Sequence, residues 1–86
     1  MKVTVLSVAR VNDVNEDEEF EVQLRVGDRI CYGRLKRQGS LPIWHSDSAL
    51  YKCLEHMPMA PRCVNQVVAD VRSGKDISFP VEVGDF

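Results

Sequence analysis

Along residues 19–26 apolar and polar side chains alternate without a break, with Phe20, Val22, Leu24 and Val26 on one parity and Glu19, Glu21, Gln23 and Arg25 on the other. A period of two is the signature of a strand with one buried and one wet face. Gly27-Asp28 comes next, and a glycine as first central residue takes φ > 0 without steric cost, as a two-residue primed turn requires. Folding about that turn sets a register. On the inner face Val26 falls opposite Arg29, Leu24 opposite Cys31, Val22 opposite Gly33 and Phe20 opposite Leu35. On the outer face Arg25 meets Ile30, Gln23 meets Tyr32, Glu21 meets Arg34 and Glu19 meets Lys36. Two pairs of opposite charge arise in this way, each contributing roughly a few tenths of a kcal/mol across the strands.

Residues 3–11 are β-branched enough for a first strand, but Val3 and Val5 lie on one parity and Leu6 and Val8 on the other. Either both faces are covered, or a bulge near Leu6-Ser7 shifts the phase. An acidic turn over residues 12–18 joins it to the hairpin. Three strands in succession with short connections form an antiparallel meander.

After Arg37 the period changes. Gln38-Gly39-Ser40 is a loop signal, and Leu41-Pro42-Ile43-Trp44 reads as a proline-broken segment crossing the core, with Trp44 as a plug over the sheet end. Ser46 or Asp47 then caps a helix carrying Leu50, Cys53, Leu54 and Met57 on one side, stopped by Pro58. Pro61 is placed to open a second helix whose stripe is Val64, Val67, Val68 and Val71, with Gly74 as its stop. Valine favours strands, yet the i, i+3, i+4, i+7 spacing decides for a helix. Ile77, Phe79, Val81 and Val83 alternate with polar residues as a last strand, which Pro80 assigns to an edge. The order β-β-β-α-α-β predicts a single α+β domain over residues 1–86, a two-layer sandwich of an antiparallel sheet with two helices on one face and water on the other.

Composition narrows the function classes. A chain of 86 residues with 44% hydrophobic and 28% charged residues is one ordinary globular domain, too small for a deep enclosed active site. Its net charge of −2 argues against a surface given over to phosphate backbones. Charge is nevertheless lopsided, with Asp13, Glu16, Asp17, Glu18, Glu19 and Glu21 preceding Arg25, Arg29, Arg34, Lys36 and Arg37. Cys31, Cys53 and Cys63 are odd in number and widely spaced, which suits a reducing compartment, and the cytoplasm is the expected location. The N-terminal apolar run resembles a secretory leader, but it is short and Arg10 interrupts it. No stretch reaches the roughly 20 apolar residues of a membrane span.

Candidate chemistry is sparse. Cys53, His56 and Cys63, with His45 and Cys31 in reserve, contain zinc-ligand types, but the cysteines fall on apolar stripes where a thiol is ordinary core. His45, Ser46, Asp47 and Ser48 contain the types of a hydrolytic triad, yet consecutive residues diverge, and capping explains them. The five glycines are scattered, so no phosphate loop is present. The expectation is therefore a non-catalytic module with no metal, cofactor or small-molecule substrate. Its outer sheet face, Arg25, Ile30, Tyr32, Arg34 and Lys36, would bind a protein partner or a second copy of the chain. The alternative is weak single-stranded nucleic-acid binding by the same face, with Tyr32 stacking a base among basic residues.

Overall fold

The computed structural model describes residues 1–12, 18–37 and 44–86, with Asn12 and Trp44 described in backbone only. Among these residues the chain forms β1 (Lys2–Asn12), β2 (Glu18–Val26), β3 (Arg29–Arg37), β4 (Trp44–Ser46), α1 (Ser48–Leu54), α2 (Ala60–Arg72) and β5 (Val81–Asp85). The five strands make one antiparallel sheet in the order β4-β3-β2-β1-β5, with both helices on one face. It is the two-layer α+β arrangement that the periodicities predict.

The β2–β3 register is the expected one at every pair from Glu19↔Lys36 to Val26↔Arg29 and extends by one pair to Glu18↔Arg37, and Gly27 turns the chain at φ +60°. In β1 the conflict between parities is resolved by a bulge. Val5 pairs with Leu24 and Ser7 with Gln23, so Leu6 is the extra residue and Val8 returns to the inner face opposite Val22. Two further irregularities fall between Arg10 and Asn12 on the β2 side and between Val3 and Thr4 in the β1–β5 ladder.

Three boundaries differ from expectation. The last strand begins at Val81, and Ile77 and Phe79 precede it, with Phe79 packed against the core and a cis Phe79-Pro80 peptide. The strand does lie at the edge of the sheet, although Pro80 stands just before it and not within its ladder. Helix α1 ends at Leu54, so Met57 reaches the core from beyond the helix. Trp44, expected in a crossing segment, starts a short edge strand through Arg37↔Trp44, Lys36↔His45 and Leu35↔Ser46. Residues 13–17 and 38–43, hence the acidic turn and the Leu41-Pro42-Ile43 segment, lie outside the described residues, as does the side chain of Trp44 with its expected role as a plug.

The core is one cluster. Val3, Val5, Phe20, Val22, Leu24, Val26 and Leu35 from the sheet meet Leu50, Leu54, Ala60, Val64, Val67 and Val68 from the helices. Helix α1 lies over β3, and α2 over β1 and β5. Asp47 caps α1 by accepting the Leu50 N–H at 2.9 Å. Helix α2 has proline in its first turn and closes where the Ser73 N–H reaches the Ala69 carbonyl, followed by Gly74 at φ +87°.

Candidate functional site

The sheet register decides what the face opposite the helices presents. Cross-strand rows run Thr4, Arg25, Ile30; then Ser7, Gln23, Tyr32; then Ala9, Glu21, Arg34; and Glu19, Lys36, His45 at the far end. Arg25, Ile30, Tyr32, Arg34 and Lys36 are thus brought onto one surface, and all five are exposed. Ile30 and Tyr32 keep 52% and 58% of their area in water, large values for apolar and aromatic groups side by side on a strand.

The middle of this face is held in place. Ser7 Oγ donates to Gln23 Oε1 at 3.4 Å, and Gln23 Nε2 donates to the Tyr32 hydroxyl at 3.3 Å, a chain of polar contacts across three strands. Arg34 straddles two carboxylates, with Nη1 at 3.0 Å from Glu19 and Nη2 at 3.7 Å from Glu21. The expected Glu19–Lys36 pair is replaced by this diagonal contact, since the guanidinium fork reaches two acids at once. Arg25 and Lys36 make no ion pair among the described residues. Beside Tyr32 and Arg34 a shallow depression of about 250 Å³ is bordered by Glu21, Gly33, Asp47 and Ala49. Ser7, Thr4, Ala9 and His45 belong to this face but were not legible in the sequence, because the bulge at Leu6 hides the phase of β1 and the β3–β4 pairing is not local.

Two further cavities lie elsewhere among the described residues. Between α1 and α2 an apolar groove of about 270 Å³ is walled by Leu50, Leu54, Pro58, Pro61 and Val64. At the hairpin end a cavity of about 460 Å³ is lined by Val26, Met57 and Phe86, with Arg29, Lys52, His56 and Cys53 around it. It is large enough for a ligand, and polar groups converge on it. Its thiol is the reverse of an activated nucleophile, however, because burial and the neighbouring Cys31 thiol push Cys53 up to about 11. The zinc-type residues are dispersed: the His56 side chain is 91% exposed beside Glu55, and the thiol nearest Cys53 in influence is Cys31. Asp47 of the triad-like run spends its carboxylate on the helix cap.

A third centre was not anticipated. The Glu18 carboxylate, 13% exposed, takes both oxygens to Arg72 Nε at 2.7 and 2.8 Å, one to Arg37 Nη1 at 3.4 Å, and an ion pair with Arg10 at 3.7 Å. Arg10 also lies over the Phe20 ring, 5.2 Å from its centroid. This knot joins α2 to the ends of β1, β2 and β3, and its chemistry is structural.

No family model, no curated protein and no solved structure matches this chain. No helix among the described residues is long and apolar enough to cross a membrane.

Proposed function

We propose that this chain is a non-catalytic binding module that associates with another protein through the open face of its sheet, with Arg25, Ile30, Tyr32, Arg34 and Lys36 as contacts. The observation that carries this reading is the pre-held Tyr32. It stands exposed beside Ile30 on a face the helices do not cover, and Gln23 steadies its hydroxyl. A tyrosine and an arginine already fixed by neighbours lose little freedom on binding, and these residue types dominate interface energetics. Charge favours protein over phosphate, because Glu19, Glu21 and Glu82 nearly balance Lys2, Arg25, Arg34 and Lys36 on this surface. Arg25 and Lys36 at its margins suit acidic residues on the partner. Three free thiols suit the cytoplasm.

The test is capture from host extract at low salt, with nuclease-treated and untreated halves compared. The reading expects a protein retained equally in both, with Tyr32→Ala weakening capture by about tenfold or more, as loss of an aromatic anchor does. Arg25→Ala combined with Lys36→Ala should then change the salt dependence little beyond the loss of two rim charges. Nucleic acid that elutes with salt, and companions lost after nuclease, would instead establish the basic-face alternative.

A further inference from the structure

The geometry points to Cys31 and Cys53 as a disulfide-forming pair that staples α1 to β3 when the protein meets a low-molecular-weight disulfide such as oxidised glutathione. Helix and strand run antiparallel in close register. At one end the Asp47 N–H donates to the Arg34 carbonyl at 2.9 Å. One step along, α1 presses onto the bare backbone of Gly33, where a Cβ would lie 2.8 Å from Leu50 Cα and 2.9 Å from its nitrogen. Two residues further on the same face of β3 is Cys31, and three residues further along α1 is Cys53. Both are half-buried free thiols packed against the core cluster. The two thiols are neighbours, and burial first and Cys31 second push the Cys53 thiol up.

The third cysteine stands apart. Cys63 lies on α2, the helix that packs over β1 and β5 instead of β3. Access exists on the Cys53 side, where the cavity of about 460 Å³ is bordered by Arg29 and Lys52 together with Glu55 and His56.

The exchange balances in two steps. The Cys53 thiol gives up its proton, its sulfur attacks one sulfur of the glutathione disulfide, and one reduced glutathione leaves carrying a proton, with Cys53 held as a mixed disulfide. Cys31, likewise deprotonated, attacks the Cys53 sulfur and expels the second glutathione. Both protein thiols are oxidised and one disulfide is reduced to two thiols. Burial slows the first step by disfavouring the thiolate, but it costs the neutral product nothing, so the staple forms slowly and then persists.

The three cysteines separate onto three tryptic peptides, residues 30–34, 53–62 and 63–72. The full-length native chain is incubated with excess oxidised glutathione, alkylated, digested and mapped by mass. The expected result is peptide 30–34 joined to peptide 53–62 with the mass of two hydrogens lost, Cys63 unjoined to either, and a higher denaturant midpoint reversed by a reducing phosphine. The Cys63→Ser variant should give the same link, and Cys31→Ser should leave a stable glutathione adduct on Cys53. Stable adducts on Cys31 or Cys53 of the unaltered chain, a link through Cys63, or both thiols still fully alkylatable after prolonged incubation would overturn the assignment.

Discussion

Gly33 has no Cβ, and α1 occupies the space that one would need. The Leu50 backbone sits where an alanine methyl at position 33 would project, so Gly33→Ala must lift the helix or bend the strand. Overpacking of this kind costs about 1–3 kcal/mol, and the expected outcome is a lower urea midpoint with an unchanged slope. A midpoint equal to that of the unaltered chain would show that the contact yields freely. Cys53 makes a second residue-scale prediction. Its thiol, ordinarily near 9.0, is pushed up to about 11 by burial and then by Cys31. A raised folded value means that the folded state holds the proton longer. The associated stability is full below pH 9 and lost as pH climbs towards 11. Iodoacetamide alkylation of Cys53 in the native chain should rise with a midpoint near pH 11, and in urea near its ordinary value. A native midpoint at the ordinary value would contradict the burial of this thiol beside Cys31.

Elements are joined here by a few long-range contacts that periodicity does not reveal. Glu18 gathers Arg10, Arg37 and Arg72 from β1, β3 and α2, the last of them 54 residues away, and tethers the C-terminal turn of α2 to the sheet. Glu18→Gln keeps the shape and removes the charge, and loss of charge-assisted hydrogen bonds at a mostly buried carboxylate costs about 1–3 kcal/mol. Hydrogen exchange should then accelerate in the last turn of α2 before it does so in the hairpin, and uniform acceleration would contradict the tether. The hairpin was legible in full because its information is local, an alternation on each side of a glycine turn. The valine helix was legible because four buried positions recur at helical spacing and proline and glycine bracket it. Strand β1 was legible as a strand, with a bulge near Leu6-Ser7 as one of two ways to reconcile its parities, and the pairing with β2 decides for the bulge. The start of β5 was misplaced because Ile77 and Phe79 continue the alternation although only residues from Val81 find β1 as a partner. A three-residue β4 is too short to announce itself.

At the scale of the whole molecule, the sheet carries its helices on one side, and among the described residues the other side faces solvent. Most of the proposed contact surface was legible, because Arg25, Ile30, Tyr32, Arg34 and Lys36 all follow from the hairpin register. The part contributed by Ser7, Thr4 and His45 was not, since it depends on the bulge and on pairing with β4. Nor does periodicity show that Arg34 serves two acids while Lys36 stays outside any ion pair among the described residues. The most direct measurement places a photo-reactive phenylalanine at Tyr32, in the middle of the open face, and in a second chain at Tyr51, on the helix side, and irradiates each in host cells. A protein adduct from position 32, absent from position 51 and unaffected by nuclease, is the predicted result. Adducts only from position 51, or nucleic acid attached at position 32, would contradict the account.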